Sequence, residues 1–309
     1  MSLSRGFLIA GILTVTLLLV QMGTTVLGAT VASRQFDQAT SDTFTYVGDL
    51  TAERVARYAD AARDVAEGTA VQLQLPVEEL TDEDLAFSMY QRLEREPSVR
   101  AIYVGWADGE FLSLRRDGSG YDLQRVDVVD DERIITHTDY DTTFKLLGSQ
   151  VLDAEYDPRM RPWYITGSRS TRTVWTEPYL QFDSDDTLVS ATRSIRKDGA
   201  LAGVVGADLT LSTLSLLLDD LPIGDGAEAY VLSADGHVIA APASTATQVH
   251  DLTVETGAVP TAAEMGLTVG AAQLTPGESA FTRDGRVIVL DRAFDRAERL
   301  DWVLHITAG

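Results

Sequence analysis

From Phe7 to about Ala29 the chain carries no charged residue, and this run merges directly into a helical pattern that continues to about residue 74. At about 1.5 Å per residue, such a run spans a hydrocarbon layer about 30 Å thick. Arg5, just before it, favours an N-terminus on the cytoplasmic side. The competing reading is a cleaved signal peptide, since Leu27-Gly28-Ala29 offers small residues near a cleavage point. Both readings export the rest of the chain. The length of the run and its continuity with a helix favour an uncleaved transmembrane anchor over residues 1–29, with residues 30–309 outside the inner (plasma) membrane.

The next helix is expected over about 30–74. Phe36, Phe44, Val47, Leu50, Tyr58 and Val65 fall close to one stripe, while Asp49, Arg54, Arg57 and Asp64 fill other faces. Pro76 ends the pattern. Some 45 residues of helix measure about 65 Å, too long for an ordinary globular element. A stalk over 30–76 fits better, either packing domains along its length or pairing with a partner helix, and a homodimer through this helix is expected. A shorter helix is predicted from about 81 to 95, where Thr81-Asp82-Glu83-Asp84 forms a capping box and sets acids at the positive end of the dipole.

From Val99 the texture changes to short strands. Val99–Trp106 and Phe111–Arg115 flank the turn Ala107-Asp108-Gly109-Glu110, and further strands are expected near 121–128, 133–139, 172–181, 187–196 and 200–209. Helix resumes at Leu211–Leu221, and Pro222-Ile223-Gly224-Asp225-Gly226 reads as a linker. A smaller set comes next: 227–233, 237–241, 279–283, 286–294 and 302–307. The strand, Asp-Gly, strand device recurs at 107–109, 234–236 and 283–285, so a hairpin-rich module occurs twice. This is an α+β arrangement in tandem, with a helix along one side.

Chemistry concentrates in Tyr156-Asp157-Pro158-Arg159-Met160-Arg161-Pro162-Trp163-Tyr164. Guanidinium forks match carboxylates, prolines restrict the backbone between them, and the indole and phenols add rigid surface, donors and π-faces suited to a cation. On composition alone this is either a pocket for a small molecule bearing a carboxylate or a turn whose aromatics plug a core.

Elsewhere the sequence excludes more than it offers. A net charge of -22 argues against nucleic acid. Without cysteine there is no disulfide framework, thiolate nucleophile or cysteine-held metal. His137, His237, His250 and His305 lack metal-ligand spacing, and the acidic clusters around Asp130-Asp131 and Asp183–Asp186 read as solvated turns rather than calcium loops. No nucleophile elbow, phosphate loop or dinucleotide fingerprint appears. The chain is therefore expected to be neither an enzyme nor a cofactor or metal carrier.

The apolar span, the long helix, the two hairpin-rich modules and Asp157–Tyr164 together resemble the double Cache (dCache) extracellular sensor domains, the input regions of bacterial chemoreceptors, sensor kinases and nucleotide cyclases. The resemblance covers about residues 30–308. It implies two PAS-like antiparallel-sheet modules, a membrane-distal ligand-binding one over 77–221 and a membrane-proximal one over 222–309. Within that family the chain is similar to receptors that bind amino acids through a spaced set. The set falls here on Tyr156, Arg161, Trp163, Tyr164, Tyr179 and Asp208.

The residue chemistry agrees. Arg161 and the Trp163 indole only donate, which suits an α-carboxylate, while ionised Asp208 only accepts, which suits an α-ammonium. Two alternatives stay open: Asp208 precedes a helix and would serve equally as its N-cap, and Trp163 and Tyr164 would serve as core. Many relatives carry Asp where this chain has Gln181, so an ammonium loses one anionic partner. For the side-chain pocket the resemblance points to the 103–145 region, with Tyr103, Trp106, Phe111, His137, Asp139 and Tyr140 as candidates.

Overall fold

In the computed structural model one helix, α1 (Leu3–Gln74), takes up both the apolar run and the amphipathic pattern after it. The structure describes residues 3–75, 80–118, 120–130, 132–152, 155–182, 184–219, 226–269, 274–284, 287–294 and 300–308, without the side chains of residues 3–15, 33–34, 36–37 and 283–284. Pro76, Asp131, Asp183, most of the linker Pro222–Gly226, the turn glycine Gly285 and the side chain of Phe36 lie outside the described residues.

The chain divides into two compact units, residues 1–47 and 48–309. In the first, Leu17, Leu18, Leu19, Val20 and Leu27 are exposed along α1. Among the described residues no helix is long and apolar enough to cross a membrane, and residues 7–15 of the expected span are not among the described side chains.

The second unit holds two antiparallel sheets. The first has nine strands: β1 (Ala101–Trp106), β2 (Phe111–Asp117), β3 (Gly120–Val129), β4 (Glu132–Asp141), β5 (Leu146–Leu152), β6 (Val174–Trp175), β7 (Tyr179–Leu180), β8 (Thr187–Lys197) and β9 (Ala200–Thr210). Their order is β5-β4-β3-β2-β1-β9-β8-β6, with β7 also on β8. The second sheet is ordered β11-β10-β14-β13-β12, from β10 (Ala227–Leu232), β11 (Val238–Ala240), β12 (Ser279–Asp284), β13 (Val287–Ala293) and β14 (Val303–Ala308). Read outward from its second strand, each sheet runs second, first, last, next-to-last. The same plan is thus used twice, and β3–β5 extend the first copy beyond β2.

Side chains on alternate faces of the first sheet meet different layers. Ile102, Val104, Leu112, Leu114, Val205 and Ala207 are buried on one face. On that side lies α2 (Asp82–Arg95), which buries Leu85, Ala86, Met89 and Leu93; its start is fixed by the reciprocal Thr81–Asp84 capping box. Residues of α1 after Gly48 tie both sheets together: Glu67 pairs with Arg193 of β8 at 2.6 Å, and Asp49 with Arg292 of β13 at 2.8 Å. The opposite face is covered by a 3-10 turn, η1 (Pro158–Met160), and by α3 (Pro162–Ser168).

The expected strand at 172–181 is instead two two-residue strands, β6 and β7. Thr176 breaks the run, its hydroxyl accepting from the Ser190 N–H at 3.0 Å. α4 (Leu211–Asp219) and α5 (Ala243–Thr256) complete the described elements.

Candidate functional site

The proline-flanked stretch folds as two successive helical starts, because each proline sits where the missing N–H costs nothing: Pro158 begins η1 and Pro162 begins α3. Asp157 caps η1, its Oδ1 accepting from the Arg159 N–H at 3.0 Å. The same carboxylate accepts from Arg159 Nη2 at 2.8 Å and Arg133 Nη2 at 2.7 Å. The Arg159 hydrogen bond in particular holds the Asp157 carboxyl below its ordinary range. One of the two guanidiniums is thereby committed to shaping the turn.

Arg161 is not. It lies between the two starts in extended backbone, at φ -85° and ψ 147°. Its Nη2 donates to the Leu180 carbonyl at 3.0 Å. Its guanidinium carbon lies 5.9 Å from the Tyr179 ring centre and 5.4 Å from that of Phe182, within the range where a cation feels a ring face. Among the described residues no carboxylate reaches ion-pair distance of it.

Arg161 lines a cavity of about 60 Å³ together with Tyr156, Trp163, Tyr179 and Asp208. Five of the six expected residues therefore surround one space. Tyr164, the sixth, is not on its wall; it is buried against Trp163, ring centres 5.5 Å apart, and supports the indole from behind. Trp163 also packs on Tyr103 at 4.6 Å and Phe111 at 6.0 Å.

Asp208 sits on β9, opposite Ser190 of β8 and Ala101 of β1. It is 5% exposed. Its Oδ1 accepts from the Tyr103 hydroxyl at 2.5 Å and the Ser190 hydroxyl at 2.6 Å, and Tyr179 donates in turn to Ser190 at 2.7 Å. Both bonds fall on Oδ1, which leaves Oδ2 for the cavity. Burial pushes the carboxyl up from 3.8 to about 6, opposed by the two hydroxyl bonds and by the fields of Arg100 and Arg161. Tyr103 and Tyr179 are held well above the ordinary phenol range, first by burial and then by the Asp208 charge.

Asp208 is not the cap of α4. That part falls to Thr210, whose hydroxyl accepts from the Thr213 N–H at 3.2 Å.

Of the side-chain-pocket candidates, Tyr103 and Phe111 line the cavity, while Trp106, His137, Asp139 and Tyr140 do not. His137 is held by Asp122 at 2.9 Å, and Tyr140 stacks on Phe144 at 4.3 Å. Sequence reasoning missed Ser190, Arg100, Ser113, Arg115 and Gln124. A usable signal existed for the first: Ser190, Thr192 and Ser194 recur at every second position along β8, placing hydroxyls on one buried face.

The first sheet and α3 thus enclose one cavity that gathers Tyr156, Arg161, Trp163, Tyr179 and Asp208. Residues 100–216 match the family of methyl-accepting chemotaxis protein-like first PDC sensor domains, and this segment is such a sensor module, an input rather than a catalytic domain. The chain is 33% identical over 102 residues to the methyl-accepting chemotaxis protein PctB of Pseudomonas aeruginosa, covering 33% of this chain and 16% of that protein. McpA of Pseudomonas putida is 37% identical over 92 residues, 29% of this chain and 14% of its own. The match thus spans less than a fifth of either relative's length.

Among solved structures, the ligand-binding domain of the Pseudomonas aeruginosa amino acid chemoreceptor PctC with GABA aligns at TM-score 0.56 and 19% identity, covering 87% of this chain and 99% of that one. The ligand-binding domain of the Pseudomonas fluorescens chemoreceptor CtaA with L-valine aligns at 0.55 and 22%, covering 87% and 98%. These likenesses establish the fold.

Proposed function

We propose that this chain is an extracytoplasmic sensor whose first module binds a free amino acid. One observation carries the reading. A guanidinium and a buried carboxylate face the same cavity, and neither has an oppositely charged protein group at ion-pair distance among the described residues. A buried charge without a counter-ion is costly, and a zwitterion supplies both counter-ions at once. Arg161 and the Trp163 indole N–H take the α-carboxylate, and Asp208 Oδ2 takes the α-ammonium. The rings of Tyr156 and Tyr179 close the sides. Each charge-assisted contact contributes about 1.5–3 kcal/mol, jointly enough for micromolar affinity after ordering costs. Amino acid complexes of structural neighbours such as PctC and CtaA support the ligand class.

In this reading residues 7–29 anchor the chain in the membrane, consistent with the exposed leucines of α1. The first module lies farther from the bilayer, and the long helix pairs with that of a second copy. Ligand binding signals by favouring one of two arrangements of α1, to which β8 and β13 are both salt-bridged.

Calorimetric titration of the chain in detergent with the twenty amino acids is the test. Micromolar binding of at least one, abolished in Asp208→Ala, is expected. Binding of simple carboxylates that survives Asp208→Ala overturns the ammonium half of the clamp. No binding by any amino acid or amine-carboxylate analogue overturns the whole reading and leaves an anchored interaction module with a vestigial pocket.

A further inference from the structure

Between the two modules lies a second cavity, of about 340 Å³. Small-molecule sites commonly measure about 300–1,000 Å³ and favour such junctions. Its walls come from the residues just before β8, the end of β9, α4, β11 and the first half of α5. Two hydrogen bonds hold α4 against the second module. Ser215 Oγ accepts from the Ala241 N–H at 3.2 Å, and Asp219 Oδ1 accepts from the Ala243 N–H at 2.9 Å. Around those bonds the facing side chains are short: Ala240, Ala241, Ala243 and Ala246 leave open the space that larger residues would fill. Leu211, Leu216 and Val249 add to a mostly apolar wall, and Leu216 is 68% exposed.

Charge on this cavity has one sign. Asp185, Asp186 and Asp219 line it, and among the described residues no lysine or arginine does. Asp185 and Asp219 are exposed, and neither has a cation of the described residues at ion-pair distance. Asp186 reaches Arg100 at 3.9 Å, on the side of the first cavity. His250, the remaining titratable group on the wall, has its Nδ1 3.4 Å from Asp251. A carboxylate or phosphate entering here meets like charge, and an amino acid zwitterion brings such a carboxylate with it. A neutral apolar molecule gains burial alone, whereas an ammonium on an apolar body gains both burial and the field of the carboxylates.

We propose that the cavity between α4, β11 and α5 is a second binding site, for a small apolar amine that lacks a carboxylate. The apolar body lies against the alanines and leucines, and the ammonium faces Asp185 and Asp219. Both modules contribute walls, so an occupant touches the two at once. The site is independent of the zwitterion clamp around Asp208.

The experiment titrates the full chain in detergent by calorimetry with hexylamine, hexanol and hexanoate, which share one body and differ in the head group. The heat of mixing with detergent alone is subtracted. One hexylamine should bind per chain. Hexanol should bind about threefold to tenfold weaker, since each exposed carboxylate contributes little, and hexanoate weaker still. In the double variant Asp185→Asn, Asp219→Asn, amine and alcohol should bind within about twofold of each other, while the new amide oxygen still accepts from Ala243. Ala246→Leu and, one turn earlier, Ala243→Leu place a good helix former in α5 and fill the cavity. Each should weaken hexylamine about tenfold or more with little change in melting temperature. Asp208→Ala should leave hexylamine binding unchanged. Hexanol or hexanoate binding the native chain as tightly as hexylamine overturns the proposal, as does no hexylamine binding at all. Binding that persists in both filling variants, or that is lost in Asp208→Ala, puts the amine elsewhere and overturns it too. None of these results bears on the clamp, which amino acid titration reads separately.

Discussion

Asp208→Asn should make the ligand-free protein more stable and the ligand bind worse. The carboxyl titrates near 6 when folded instead of 3.8, with burial as the main cause. Below 3.8 it is protonated in both states. Between 3.8 and about 6 the unfolded chain has released its proton while the folded one retains it, so stability falls as pH rises through that window and levels above it. The full loss is roughly 3 kcal/mol at neutral pH, one pKa unit being about 1.4 kcal/mol. An asparagine escapes this cost, and its carbonyl still accepts from Tyr103 and Ser190. Thermal unfolding of the ligand-free proteins should therefore place the variant several degrees above the native chain at pH 7 and level with it near pH 4.

Binding moves the other way. Losing the anion opposite the ammonium should weaken the tightest-binding amino acid by about tenfold to a hundredfold. The native chain should show the same dependence through pH. One unit below its pKa about nine-tenths of Asp208 is protonated, so affinity should fall about tenfold per unit below pH 6. Calorimetry between pH 5 and 8 reads both effects. A variant less stable than native at pH 7, or one that binds with native affinity, refutes the reasoning.

Arg161→Lys keeps a cation but loses the planar fork and the bond to Leu180; ligand affinity should drop about tenfold or more while the ligand-free melting temperature changes little. A Cβ on Gly206 would lie 2.1–2.6 Å from the Tyr103 ring and hydroxyl. Gly206→Ala should therefore displace Tyr103 from Asp208, lowering both stability and affinity, whereas Gly148→Ala, with open space around it, should be neutral in the same assays. Tyr164→Phe should bind ligand within about threefold of native, because Tyr164 supports Trp163 without lining the cavity. His305→Phe should cost roughly 1–3 kcal/mol by denaturant unfolding, since buried Asp291 loses a 2.6 Å partner, yet leave amino acid affinity unchanged.

The legible parts of the fold were those with a strong local period. The capping box at Thr81 and the apolar run of β9 read directly because local preference and burial agree. Other elements form for reasons outside their own residues. β5 is almost wholly exposed and exists because β4 offers it an edge. α5 is rich in threonine and alanine with only Val249 and Thr253 buried, so its pattern is faint. Gly257 nonetheless ends it in the left-handed conformation, at φ 74°. In α3, Pro162 signals a helix start, but seven residues are too few to show a period. The site followed the same rule. The spacing from Tyr156 to Asp208 could be recognised along the chain, but Ser190 reaches Asp208 through cross-strand register, which no linear spacing reports.

Register also accounts for the difference between the two modules. β1, β9 and β8 in the first sheet take the places of β10, β14 and β13 in the second. Across the first, one row reads Tyr103, Gly206, Thr192; across the second, the row that starts from Tyr230 reads Tyr230, His305, Asp291. Gly206 has no side chain, so the Tyr103 ring lies directly over its backbone and its hydroxyl reaches Asp208, leaving space beyond for a ligand. The middle residue of the second row is instead an imidazole, fully buried and bonded to Asp291, beside a tyrosine that α5 meets through Thr245. There His305 Nδ1 is bonded to Asp291 and the Tyr230 hydroxyl to Glu228 and Thr245, while His305 Nε2 is buried with no hydrogen-bond partner among the described residues. Within these two rows, a glycine leaves room beneath the Tyr103 ring where the second row carries a buried imidazole. The second sheet holds α1 through Arg292 and Asp49.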